Sequence, residues 1–450
     1  MKVINTETTM KRILISLFTL LLGVQAFPQT EGAKLRKIDS LLSYLYENNK
    51  FMGSVAIRDQ GEIVFEKAYG FADVEAKIPA TEDTKYKIGS ITKMFTSAII
   101  FQLIEEKQLK LDTKLSEFFP KIKNADKITI SDMLNHTSGI FNYTADPWFT
   151  QNLSKLVNRR DIVQKLESFP PAFQPGERAE YSNTNYLLLG YIIQDITHKS
   201  YKENVTSRII NRIGLKDTYY YSKINPKKKE AYSYSFENGK WIKYTPEWHE
   251  SVTGAAGGLQ STPQDLTLFI TALFDGTIIK PESLQQMTEM KFGYGRGILA
   301  FPFGQRNFLG HNGNIESFNS VLGYYPKDGL AISLLINGDN YNYNDIVLGI
   351  LSIYYKLPYI FPNLASVALD ESTLKRHEGI YSNPALPFKV DIRLVDGVLV
   401  AHATDQGSFP LNPLSENVFN FDPAGITITF TATGFTLRQT DGSTSEFKRE

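Results

Sequence analysis

The chain has 450 residues, carries 48 lysines and arginines against 48 aspartates and glutamates, and contains no cysteine. Balanced charge argues against nucleic acid as a partner, and the missing cysteines exclude disulfides, a thiolate nucleophile and a lipid-modified cysteine anchor. The six histidines, at 136, 198, 249, 311, 377 and 402, show no His-x-x-x-His spacing, so a zinc site is not expected and no cofactor is implied.

At the N-terminus, Met10-Lys-Arg precedes an apolar run from Ile13 to Val24 and a small-residue site at Val24-Gln-Ala26, the anatomy of a signal peptide over residues 1–26. The run is well short of the ~20 residues that span a bilayer. Cleavage would remove Lys2, Glu7, Lys11 and Arg12 and leave a secreted or periplasmic protein of net charge about −2, with no membrane span.

Phe51 to Val74 alternates apolar and polar residues around Asp59-Gln60-Gly61, which predicts a β-hairpin. Helices are expected over Ser90–Glu106, Asn185–Thr197, Tyr201–Ile213 and Pro263–Phe274, the last behind a Ser261-Thr262 cap with proline at its first position. Phe318–Tyr325 and Leu330–Asn337 flank a turn at Pro326-Lys-Asp-Gly329, with another strand expected to end near Gly310-His311. Strands at both ends with helices between predict one α+β domain, residues 33–360, whose sheet is completed by the returning chain. A proline-punctuated linker near Leu357 to Glu371 then leads to short alternating runs, a small β module over 372–450.

Ser90 and Lys93 lie one turn apart at the start of a helix that is apolar nearly all round, where burial would depress an amine's pKa and let it take a serine proton. Ser-x-x-Lys recurs at Ser372/Lys375 and Ser445/Lys448, Tyr-x-Asn at Tyr46 and Tyr381 as well as Tyr181, and His-x-Gly at His377 as well as His311. Only Ser90-x-x-Lys93, Tyr181-Ser-Asn183 and His311-Asn-Gly313 each border a strongly apolar helix or strand.

With Leu134-Asn-His-Thr-Ser-Gly139 and Gly257-Gly-Leu-Gln-Ser-Thr262 between them, these blocks make residues 35–355 resemble the serine β-lactamase and penicillin-binding-protein superfamily, nearest to class C β-lactamases and D-alanyl-D-alanine carboxypeptidases. The resemblance implies a β-lactamase-like fold: an antiparallel sheet flanked by helices, and a mainly helical subdomain. His311-Asn-Gly313 stands where class C β-lactamases carry Lys-Thr-Gly, and is similar to the His-x-Gly of some carboxypeptidases, D-aminopeptidases and esterase-like relatives. The tail from about Leu374 resembles an appended lipocalin-like domain.

Carried onto this sequence, the resemblance implies Ser90 as nucleophile, Lys93 as its activating partner and Tyr181 as the proton relay to the leaving group. Asn183 would hold the substrate amide or orient Lys93, and His311, Gly313 and Asn314 would bind substrate, with the N–H groups of Ser90 and Asn314 as oxyanion hole. Lysine and tyrosine start near pKa 10, so either must fall by about 3 units to act as a base, and a protonated Lys93 would favour a tyrosinate at Tyr181. The plain packing alternatives are a core tyrosine at Tyr181 and a helix N-cap at Asn183. His136 reads as structural, Gly257 and Gly258 as turn residues, Lys227-Lys-Lys229 as a solvated loop, and Phe141, Tyr143 and Trp148 as a cleft wall or core cover.

The expected function is an exported serine hydrolase acting through a Ser90 acyl-enzyme on D-residue peptides, cell-wall peptides among them, or related amides. The rival readings are a carboxylesterase, a class C β-lactamase, and a penicillin-binding sensor that acylates without turning over.

Overall fold

The computed structural model describes residues 29–364, 367–404, 407–421, 425–439 and 443–450, and the signal peptide expected over 1–26 lies outside them. The chain forms two compact units, one ending at Tyr355 and the other running from Lys356 to Glu450.

In the first unit, α1 (Gln29–Glu47) buries Ile38, Leu41, Leu42 and Leu45, one stripe of an amphipathic helix that packs on the sheet side bearing the last helix. The hairpin β1 (Phe51–Asp59) and β2 (Glu62–Tyr69) follows, turning at Gln60-Gly61 as its alternation predicts. The helices α2 (Thr92–Glu105), α3 (Asn183–Thr197), α4 (Glu250–Gly257) and α5 (Pro263–Phe274) come next. Strands β3 (Leu299–Phe303), β4 (Arg306–Ile315), β5 (Phe318–Tyr325) and β6 (Leu330–Asp339), then α6 (Tyr343–Tyr354), complete the unit.

The sheet order is β3-β4-β5-β6-β1-β2, so the first hairpin closes against the last strand and the returning chain completes the sheet, as expected. A hairpin at Tyr234–Glu237 and Lys240–Lys243 adds to β6. This is the β-lactamase-like fold, and its main core lies between sheet and helices, with Phe95 of α2 stacked 3.7 Å from Phe269 of α5.

The structure differs from the sequence expectations at three places. β4 does not end near Gly310-His311 but continues to Ile315, because Asn312 and Asn314 pair with Val321 and Asn319 of β5. The segment Tyr201–Ile213 is helical, with a wider turn over Thr206–Ile210. Ser372 and Lys375 sit on a short helix, Glu371–Lys375, and not on a strand.

The second unit is a nine-stranded antiparallel sheet with a core that includes Tyr381, Ile392, Phe419, Phe430, Phe435 and Phe447. Its two outer strands, Ser408–Pro410 and Asn412–Pro413, are separated in the chain by Leu411 alone. The sheet therefore curls into a nearly closed barrel, which shelters its edges.

Candidate active site

Ser90 lies in a single helical turn, Gly89–Ile91, that feeds directly into α2. Two glycines let this turn meet β4. Gly89 has φ +49°, and a Cβ there would stand 2.9 Å from Asn314 O and 3.0 Å from Asn314 N. A Cβ on Gly313 would stand 2.1 Å from Ile88 O and 3.0 Å from Ser90 N. No larger residue fits either position without moving backbone. Ser320 of β5 fixes the same junction by donating from Oγ to Ile88 O at 2.9 Å.

Lys93 is fully buried, and its Nζ lies 2.9 Å from Ser90 Oγ, 2.8 Å from Asn183 Oδ1 and 2.7 Å from Ala256 O. Desolvation holds its pKa well below the usual lysine range. Ser90 Oγ, Asn183 Oδ1 and Ala256 O thus surround Nζ as three hydrogen-bond partners, while burial disfavours the charge on the amine.

Tyr181 Oη lies 2.7 Å from Ser90 Oγ, and burial raises its pKa above the usual tyrosine value. The phenol donates to Ser90 Oγ, so Tyr181 and Lys93 both face the serine oxygen. Burial pushes both groups toward their neutral forms, lowering the pKa of the amine and raising that of the phenol, which works against the expected tyrosinate.

Asn183 is the first residue of α3, one place after the N-cap Ser182, so its side chain is not spent on capping. Its Nδ2 donates to Thr144 Oγ1 at 3.2 Å, which aims Oδ1 at Lys93. His136 is buried, its ring 4.5 Å from that of Tyr181, and its Nδ1 accepts from Ser182 N–H at 3.1 Å. It packs and caps, as its structural reading expects.

His311 lies in the middle of β4, 2% exposed, its ring 6.4 Å from that of Tyr181. Nδ1 is 2.6 Å from its neighbour's carbonyl, Asn312 O, and so carries the proton. Burial lowers its pKa to about 3, which keeps the ring neutral. The structure thus joins Ser90, Lys93, Tyr181 and Asn183 by hydrogen bonds and Gly313 and Asn314 by close packing, while the His311 ring packs near that of Tyr181.

A cleft of about 210 Å³ opens over Ser90, bounded by Gly89, Asn183, Gly257 and Asn314 and walled by Tyr143, Phe149 and Trp248. The three rings meet edge to face, Tyr143 to Phe149 at 5.3 Å and Phe149 to Trp248 at 5.2 Å. Of the aromatics marked in the sequence, only Tyr143 lines the cleft. Phe141 packs on Phe169, and Trp148 covers the core. Gly257 is part of the cleft wall as well as of the turn, and Gly258 makes room for Tyr220. Sequence reasoning missed Phe149, Trp248 and the Ala256 carbonyl. Among the described residues no group of three His, Cys, Asp or Glu is placed to hold a metal ion.

Residues 46–349 match the beta-lactamase family, and the chain belongs to that family. It is a serine hydrolase of the β-lactamase and penicillin-binding-protein superfamily. Teichoic acid D-alanine hydrolase of Staphylococcus aureus is 29% identical over 332 residues, covering 71% of this chain and 79% of that protein. The crystal structure of D-amino acid amidase from Ochrobactrum anthropi SV3 superposes with a TM-score of 0.65 at 28% identity, over 72% of this chain and 99% of its own. The octameric penicillin-binding protein homologue from Pyrococcus abyssi has a TM-score of 0.67 at 25% identity and covers 92% of this chain and 98% of its own.

Proposed function

We propose that this chain hydrolyses D-aminoacyl amides or esters through an acyl-enzyme on Ser90. The observation that carries this reading is the placing of Ser90 Oγ between Lys93 Nζ at 2.9 Å and Tyr181 Oη at 2.7 Å. Ser90 Oγ bonds to the substrate carbonyl carbon as its proton passes to Lys93. The N–H groups of Ser90 and Asn314 hold the developing oxyanion, each donor worth roughly 3 kcal/mol. The bond to the leaving nitrogen or oxygen then breaks and takes the Tyr181 proton, and the proton on Lys93 restores the phenol. Water attacks the ester by the reverse of the same transfers and frees Ser90.

The substrate class is supported by the likeness to a D-amino acid amidase and a teichoic acid D-alanine hydrolase. A neutral His311, where class C β-lactamases carry lysine, supplies no cation for a β-lactam carboxylate. We also propose export, on the Met10–Ala26 pattern, with cell-wall peptides or polymers as the natural substrates; no helix among the described residues is long and apolar enough to cross a membrane. A panel of D-alanyl amides and esters, their L-isomers, aryl acetates and a chromogenic cephalosporin tests the reading. Turnover of the D-aminoacyl compounds above the rest is expected. Preference for aryl acetates means a carboxylesterase, efficient cephalosporin turnover a β-lactamase, and a stoichiometric burst without further rate a sensor.

A further inference from the structure

Beneath the cleft lies an ion pair that the proton network does not use. Lys87, on the short strand Tyr86–Lys87 that leads into the nucleophile turn, places Nζ 2.6 Å from Glu316 Oε1, and both side chains are 1% exposed. Glu316 stands in the turn after β4, two residues past Asn314, with φ +55°. A bulky residue in the left-handed region is strained, and a buried ion pair loses hydration that an apolar pair of similar volume would not. Two unfavourable choices at one residue point to a constraint other than stability.

The contacts show what that constraint serves. Glu316 Oε1 also accepts the backbone N–H of Trp248 at 2.7 Å, fixing the main chain of a residue in the cleft wall. Lys87 Nζ lies 4.4 Å over the ring of Tyr221, whose hydroxyl is 2.7 Å from Thr253 Oγ1, another cleft residue. Glu247 Oε2 stands 3.8 Å from Lys87 Nζ and accepts from Ile224 N–H at 2.8 Å. One buried pair thus ties together the segment before Ser90, the strand end carrying Asn314, and the loop carrying Trp248.

We propose that Glu316, the acceptor half of this pair, is a positioning residue, whose side-chain oxygen on the Trp248 N–H holds the Trp248 wall against the Asn314 strand end and so sets how tightly the acyl group is bound. The inference goes beyond the substrate reading but rests on Ser90 as nucleophile.

The test separates stability from activity. Lys87→Met/Glu316→Gly removes both charges and the backbone strain, so it should keep the wild-type thermal midpoint within a few degrees. KM for D-alanyl p-nitroanilide should nevertheless rise at least ~10-fold, and the second-order constant for acylation by a fluorophosphonate should fall in step, as follows from an unanchored wall. Lys87→Met/Glu316→Gln keeps an acceptor for the Trp248 N–H and should stay within about threefold of wild type by both readings, the rescue that a positioning role requires.

Both constants are referred to titrated Ser90, so unfolded protein does not count. If the glycine variant does not fold, Lys87→Met/Glu316→Met fills the same space without an acceptor and must show the same loss. Wild-type binding in the acceptor-less variants, or equal loss in the glutamine variant, overturns the proposal. Failure of wild-type Ser90 to acylate would instead overturn the proposed function. Acylation without D-alanyl turnover would overturn only the substrate class and leave the acylation constant to decide.

Discussion

The floor of the cleft and its aromatic wall are built on opposite principles. The floor is a contact between two chain segments, Gly89-Ser90 and Gly313-Asn314, packed so closely that neither glycine can carry a side chain. The wall is assembled from Tyr143, in a single helical turn, Phe149, on the short helix Pro147–Asn152, and Trp248 on a loop, rings touching edge to face and anchored from behind. A floor fixed by backbone leaves little room for variation, whereas a wall of side chains on short connecting segments can change substrate without disturbing the chemistry. Floor variants should therefore lose turnover, and wall variants affinity.

The largest effect is expected for Gly313→Ala. Its methyl would meet Ile88 O and push Asn314 away from Ser90, costing about 10²- to 10³-fold in kcat, the worth of one oxyanion donor. Unchanged kcat would place the oxyanion hole elsewhere. Lys93→Ala and Tyr181→Phe should each slow turnover at least ~10²-fold, with KM little altered, in steady-state assays. A near-normal rate in either would remove that residue from the proton path.

The pH profile sharpens the same point. If Lys93 is the base, as proposed, kcat/KM should fall on the acid side as the amine protonates, at a pH lower than an ordinary lysine would set because burial lowers its pKa. His311 is already neutral above about pH 3, and the raised pKa of Tyr181 keeps the phenol protonated into alkali. His311→Gln should therefore leave the acid limb where it is, and a displaced limb would assign it to His311 instead. For the wall, Trp248→Ala should raise KM by roughly 10-fold with a smaller change in kcat, as expected for lost uniform binding.

The smallest effect is expected from removing the C-terminal β unit, which we propose is a separate domain with its boundary in residues 357–371. A chain ending at Leu364 should stay folded and acylate Ser90 at the full-length rate, read by circular dichroism and probe labelling. Insolubility would mean that the two units share a core.

What the sequence made legible follows the same division. Apolar runs showed α2, α5 and the hairpins, and the setting of Ser90 and Lys93 at the head of a buried helix separated them from the matches at Ser372 and Ser445. The continuation of β4 through Asn312 and Asn314 was hidden because glycine and asparagine carry no strand signal, although β5 pairs with them. The Ala256 carbonyl that orients Lys93 is backbone and leaves no trace in residue identity. Phe149, Trp248 and the Lys87–Glu316 pair come from segments far apart in the chain, and only the fold brings them together. The tyrosinate expectation counted the charge on Lys93 and left out the burial that opposes it on both groups.

The most direct test of the account is the mass of the intact protein after brief reaction with a fluorophosphonate or a D-alanyl ester, with peptide mapping of the adduct. The account predicts a single acyl or phosphonyl group on Ser90, absent from Ser90→Ala. An adduct on any other residue, or equal labelling of Ser90→Ala, would contradict it.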